Sequence, residues 1–112
     1  TVVNSKDGYM FMIPDAWKDA ITTEWSEKNR ALTFYEWISD TAGSDSGVKG
    51  DALLTIQVMT EDEWKNQSEN TELYKLKQHE NMVFAAKLER TDSKLSLTME
   101  QVEYYFRLFS PN

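Results

Sequence analysis

Residues 8–17 have the sequence Gly-Tyr-Met-Phe-Met-Ile-Pro-Asp-Ala-Trp and predict the strand around which the chain is organised. Successive side chains of a strand point to opposite faces, so Tyr9, Phe11 and Ile13 share one face and two methionines share the other. Because neither face is polar, we expect this strand to be central in a sheet that is covered on both sides. The proline that follows ends the strand, and we expect Trp17 to fold back over the sheet.

Further strands are predicted where β-branched and aromatic residues cluster between turn residues. We expect a short edge strand at residues 1–3, a hairpin from residues 20–26 and 31–38, a strand at 52–59, and a second hairpin from 72–80 and 82–89 that turns near Asn81. Residues 39–51 contain three of the four glycines and predict a long, mobile loop.

Two helices are predicted from paired signals at their first residues. Thr60 and Glu63 have the spacing of a capping box, and so do Thr98 and Gln101. Hydrophobic staples accompany both boxes, formed by Met59 with Trp64 and by Leu97 with Val102. We expect the first helix to end near residues 68–70 and the second to continue through Phe106 and Phe109, until Pro111 ends it.

These elements predict an α+β fold, with a mainly antiparallel sheet flanked by two main helices. One helix is expected to pack on each face of the strand at residues 8–13. A chain of 112 residues with 40% hydrophobic content suits one domain, residues 1–112, with one aromatic-rich core.

Composition argues against several classes of function. The formal net charge is -7, from 19 acidic and 12 basic residues, so nucleic acid and anionic membrane surfaces are poor partners. The chain contains no cysteine and therefore no disulfide or thiolate chemistry. No apolar run approaches the ~20 residues of a membrane span. Because the sequence begins at Thr1, we expect any export signal or lipid anchor to lie in a preceding segment.

Catalytic signals are weak. His79 is the only histidine, and it is predicted beside the turn of the second hairpin without the motif of a nucleophilic triad. Glu24, Glu36 and Glu63 each precede a tryptophan, which places an acid beside an aromatic platform. A half-buried strand with glutamate outside and tryptophan inside produces the same pattern, and Glu63 is already assigned to a helix cap. We therefore assign no catalytic residue.

Metal and cofactor signals are equally weak. Methionines 10, 12 and 59 with His79 could supply soft ligands to Cu(I), but methionines beside aromatics are typical of a core. Asp40, Asp45 and Asp51 lack the ligand spacing of a calcium loop. We predict no metal and no cofactor.

The order of these elements resembles the PsbP-like domains. The resemblance covers residues 8–109 and rests on the Gly-Tyr-x-Phe-x-Ile-Pro-x-x-Trp opening, the Leu-Leu-Thr-Ile-Gln-Val strand that leads into a helix, the second hairpin, and the closing amphipathic helix. Photosystem proteins, a small Ran-binding family and short lipoprotein domains of Gram-positive bacteria belong to this group, and the chain is most similar to the last. The resemblance implies an α/β/α sandwich and supplies no shared catalytic residues.

Three functional hypotheses follow. The first is a non-enzymatic, extracytoplasmic binding or assembly module of a bacterial lipoprotein, tethered to the membrane through a preceding anchor, with an unknown protein or small ligand as its partner. The second is a hydrolase that uses carboxylates near tryptophan. The third is an interaction adaptor with an exposed aromatic patch, for which Trp25, Trp37 and Trp64 are the candidate surface residues.

Overall fold

A computed structural model describes residues 1–39, 47–67 and 72–108. It shows an α+β fold in which every strand pairing is antiparallel, so the predicted fold class is confirmed at this level. The strands are β1 (Val2–Asn4), β2 (Tyr9–Phe11), β3 (Ile21–Ser26), β4 (Ala31–Ser39), β5 (Gly47–Thr60), β6 (Tyr74–His79), β7 (Met82–Leu88) and β8 (Phe106–Leu108); the helices are α1 (Glu61–Asn66) and α2 (Met99–Tyr105).

The strands form two sheets. The small sheet has the order β1-β2-β8, and the large sheet has the order β3-β4-β5-β7-β6. The opening strand is therefore central, as expected, but in the smaller of the two sheets. Both predicted hairpins are confirmed, as β3–β4 and β6–β7.

The main core lies between the two sheets. Tyr9 and Phe11 are fully buried, and the Phe11 ring contacts those of Trp17 and Phe34 at centroid distances of 5.9 and 5.2 Å. Trp17 lies in a single 3-10 turn and folds back over the core, as expected, where its indole N–H donates to the Leu95 carbonyl at 2.6 Å. Aromatic side chains from β2 and β8 thus pack directly against the large sheet.

The two helices do not flank the opening strand. Both capping boxes are present as predicted, and α1 packs on β5 and β7, where Trp64 contacts a separate buried cluster of Met59, Val83 and Ala85. Met59 and Val83 alternate with core residues along their strands, so this cluster lies on the opposite face of the large sheet. The small sheet covers the main core together with α2, whose Val102 is fully buried in that core.

The second helix is shorter than its apolar pattern predicts. It ends at Tyr105, and Phe106 begins β8, which pairs with β2 in the register Phe11↔Phe106. Pairing with β8 supplies backbone hydrogen-bond partners to the edge of β2 that β1 leaves free. It also buries Phe106 beside Tyr9, with ring centroids 5.3 Å apart. The predicted continuation to Phe109 and the stop at Pro111 lie outside the described residues. The first helix ends at Asn66, earlier than expected.

The predicted loop at residues 39–51 is wrong in its second part. Residues 47–51 belong to β5 and pair with β4, in the register Trp37↔Lys49 and Ile38↔Val48. A Cβ on Gly47 would lie 2.7 Å from both the Trp37 ring and the Ile38 carbonyl oxygen, so this glycine permits close packing rather than mobility. Residues 40–46 lie outside the described part. Within the described ranges, no helix is long and apolar enough to cross a bilayer.

Candidate functional site

The three tryptophans proposed as surface residues lie on different elements. Trp25 is on β3 and 40% exposed, whereas Trp37 on β4 and Trp64 on α1 are half-buried. Trp25 pairs with the core residue Leu32, so it lies on the core side of the large sheet, opposite to the face that α1 covers. The structure therefore does not unite them in one patch, and Trp25 is the most exposed of the three.

Trp25 lies in a shallow cavity of about 270 Å³ between β1 and β3, which are edge strands of the two sheets. We call this cavity the edge groove. Its lining residues are Val2, Val3, Asn4, Ser5, Lys6, Trp25 and Leu32. Val3 is 56% exposed, so two large apolar side chains face solvent at the same place. An indole beside exposed valine is the kind of surface that binding partners cover.

The exposure of Trp25 has a simple structural cause. Its side chain points to the buried side of the large sheet, but β3 is the last strand, with no neighbour beyond it in the part of the chain that the structure describes. The expected pattern of glutamate outside and tryptophan inside therefore holds for the directions of Glu24 and Trp25, although Trp25 is not buried. It is wrong for Glu36 and Trp37, because Glu36 pairs with Ile21 and so lies on the core face.

The three candidate glutamates do not form a catalytic pair. Glu24 accepts from the Lys49 ammonium at 2.5 Å, and Glu36 accepts from the Ser93 hydroxyl at 2.5 Å. Glu63 accepts from the Thr60 backbone N–H at 2.8 Å, and this hydrogen bond lowers the pKa of the Glu63 carboxyl. A general acid needs a raised pKa, so the cap works against that role. His79 is half-buried on β6, at the hairpin end as expected.

The methionines and aspartates proposed as weak metal ligands are also separated. Met59 packs in the cluster under α1, whereas Met10 alternates with the buried residues of β2 on the other side of the molecule. Asp51 forms an ion pair with Arg90, and Asp40 and Asp45 lie outside the described residues. Within the described ranges, no three His, Cys, Asp or Glu side chains are placed to hold a metal ion.

A partly buried ion pair was not predicted from the sequence. Asp7, with a side chain only 2% exposed, accepts from the Arg30 guanidinium, and the Asn4 amide donates to the same carboxylate at 3.2 Å. This pair joins the β1–β2 turn to the β3–β4 turn. No local motif signals it, because the two partners are far apart in the chain. Arg30 also lines a second, more polar cavity of about 390 Å³, together with Gln67.

The Tyr9 hydroxyl lies close to this ion pair. It is buried and forms no hydrogen bond of normal geometry within the described residues, although the Asn4 amide lies near enough to interact with it, and burial raises the pKa of the Tyr9 phenol to about 12. The neutral phenol is thus favoured in the folded state and the phenolate is excluded from the core.

We expect Tyr9→Phe to stabilise the protein at neutral pH by up to about 1 kcal/mol, because it removes a buried hydroxyl that lacks a well-formed hydrogen bond. The folded protein holds the Tyr9 proton more tightly than the unfolded chain, so wild-type stability should fall from about pH 10 to about pH 12. This loss should be smaller in the variant. Urea unfolding at pH 7 and 11 measures both effects, and an equal loss in the two proteins would contradict the expectation.

No protein-family model, no curated protein and no solved structure matches this chain.

Proposed function

We propose that this protein is a non-enzymatic binding or assembly module that engages a polypeptide partner through the edge groove. The exposed Trp25, set beside Val2, Val3 and Leu32, is the observation that carries the proposal. Tryptophan is among the residues that contribute most to protein–protein binding, because it buries a large rigid surface and retains one hydrogen-bond donor.

The dimensions of the groove favour a polypeptide. Its volume of about 270 Å³ is below the ~300–1,000 Å³ of a typical small-molecule site, and it is open to solvent along two edge strands. One apolar side chain of a partner fits such a space, while the polar residues Asn4 and Lys6 lie at its border. This arrangement of an apolar centre and a polar rim is typical of protein interfaces.

We further propose that the chain is a PsbP-like domain of an extracytoplasmic, membrane-tethered lipoprotein of a Gram-positive bacterium. The opening strand, the two capped helices and the strand that leads into α1 support this assignment, and the net charge of -7 suits a module that stays off the anionic lipid surface. The complete gene product should carry an export signal with a lipid-attachment site, and protease added to intact cells should release the domain. A gene product that starts at this domain and stays inside the cell would contradict the assignment.

We expect Trp25→Ala to weaken binding of selected peptides at least tenfold. Random 12-residue peptides displayed on phage and selected on the protein provide a defined probe, and the loss of an indole contact at a binding centre typically exceeds 1 kcal/mol. Fluorescence anisotropy with the synthetic peptide measures the dissociation constant.

Tyr104→Ala is the matched control, because Tyr104 is an exposed aromatic residue on α2, remote in sequence from the groove. It should leave peptide affinity within about twofold of wild type. Peptides that bind Trp25→Ala as tightly as wild type, or a selection that yields no binder, would overturn the proposed function.

A further inference from the structure

The outer edge of β3 carries six backbone groups that are free to pair. In the β3–β4 ladder, the Trp37 N–H donates to the Ala20 carbonyl, and hydrogen-bonded pairs alternate along antiparallel strands. The N–H and C=O groups of Ile21, Thr23 and Trp25 therefore point away from β4. Within the described residues, no hydrogen bond reaches any of them.

β3 also has little of the usual protection of an edge strand, because its one charged residue, Glu24, is already paired with Lys49 of its own chain. The opposite edge of the large sheet, β6, carries Lys75 and Lys77 and has a register shift between them. In contrast, β3 contains neither lysine nor proline, and its register with β4 is unbroken over six residue pairs. Charged residues and bulges normally prevent edge-to-edge pairing, so β3 is the edge left open to it.

We propose that two copies of this chain associate through antiparallel pairing of β3 with β3, which makes the second copy the polypeptide partner of the edge groove; this inference rests on the proposed function. When the two-fold axis of the dimer passes through Thr23, each free N–H and C=O group of β3 finds a hydrogen-bond partner in the second copy. In this register Thr23 faces Thr23 of the second copy, and Ile21 faces Trp25. Three hydrogen-bonded residue pairs then join two five-stranded sheets into one.

The side chains are complementary in this register. Cross-strand partners lie on the same face of a sheet, so Ile21 of the second copy lies beside Trp25, on the side of the edge groove. On the opposite face, Glu24 meets Thr22 rather than Glu24 of the second copy. The pairing thus opposes an aromatic residue to a β-branched one and places no like charges directly across the interface.

Net charge opposes the association. Each copy carries a formal charge of -7, and this repulsion is screened when salt shortens the Debye length from ~30 Å at 0.01 M to ~8 Å at 0.15 M. Dimerisation should therefore strengthen as salt is raised over this range.

Cysteine cross-linking tests the register, since the chain contains no cysteine of its own. Thr23→Cys places two thiols in a hydrogen-bonded pair with Cα atoms ~5.5 Å apart, within the range that a disulfide spans. Glu24→Cys is the matched control on the same strand, because its two copies are offset by two residues and lie ~8 Å apart, beyond disulfide reach. We expect Thr23→Cys to form covalent dimer at least five times faster under mild oxidation.

Sedimentation velocity of the unmodified chain provides a second measurement. The wild type should show dimer that increases with concentration, Thr23→Lys and Thr23→Glu should each be monomeric, and their mixture should restore a heterodimer. Equal cross-linking of the two cysteine variants, or a wild type that remains monomeric at millimolar concentration, would overturn the self-pairing. A monomer that still loses peptide binding on Trp25→Ala would leave the proposed function intact.

Discussion

Replacing Phe11 with alanine is expected to lower the free energy of unfolding by about 3–5 kcal/mol. Phe11 is fully buried at the centre of the small sheet, and its ring contacts the rings of Trp17, Phe34 and Tyr105. Alanine leaves a cavity between the two sheets, and three aromatic neighbours lose contact together. Native domains are stable by only about 5–15 kcal/mol, so this change removes a large share of the total.

Urea unfolding followed by tryptophan fluorescence measures the effect of Phe11→Ala as a shift in midpoint at constant slope. Met10→Ala is the matched control, because Met10 is the next residue of the same strand, points to the other face and is only half-buried. Met10→Ala should lower the free energy of unfolding by about 1 kcal/mol, because only part of the apolar surface of Met10 is buried. Similar costs for the two variants would show that the small sheet does not form the cover of the core.

Replacing Arg30 with methionine is expected to lower the free energy of unfolding by about 2–4 kcal/mol. This is the second largest of the predicted changes in stability. Methionine keeps the length and apolar character of the side chain, but among the described residues it leaves only the Asn4 amide as a side-chain donor to the Asp7 carboxylate, which is 2% exposed. An unpaired buried charge costs more than the loss of the pair itself. Because the Arg30 side chain is 40% exposed, water entry keeps the cost toward the lower end of the range for buried pairs.

A double-mutant cycle separates the ion pair from simple packing. Asp7→Asn combined with Arg30→Met removes the charge that the single variant leaves unpaired, so the double variant should be more stable than Arg30→Met alone. Thermal unfolding monitored by circular dichroism measures the stability of each single variant and of the double variant. Additive losses from the two changes would indicate that Asp7 and Arg30 do not depend on each other.

The parts of the fold that the sequence predicts well depend on neighbours in the chain. A capping box needs only residues three apart, and both boxes are present as the spacing of Thr60 with Glu63 and Thr98 with Gln101 predicts. Hairpins depend on a turn and two adjoining strands, and both predicted hairpins are confirmed.

The parts that the sequence does not predict depend on distant pairing. Phe106 continues the apolar pattern of a helix, yet it lies in a strand because β2 offers it a free edge from the other end of the chain. Likewise, the glycines at the start of β5 suggest a loop, whereas the strand needs Gly47 for its close approach to Trp37. Local propensity is a weak guide wherever tertiary pairing competes with it.

The candidate site was only partly foreseen for the same reason. Trp25 could be named as a surface candidate, but its exposure follows from the position of β3 at the sheet edge, which local sequence does not encode. The pairing of Asp7 with Arg30 joins two turns that come together only in the folded state.

The pairing of β2 with β8 has a consequence for synthesis on the ribosome. Tyr9 emerges about a hundred residues before its strand partner Leu108, so the small sheet cannot close over the core until residue 108 has left the ribosome. Until then the large sheet would leave the apolar face of Phe34 and Phe84 uncovered. A nascent chain of this protein should therefore depend on chaperones for longer than one whose core closes early.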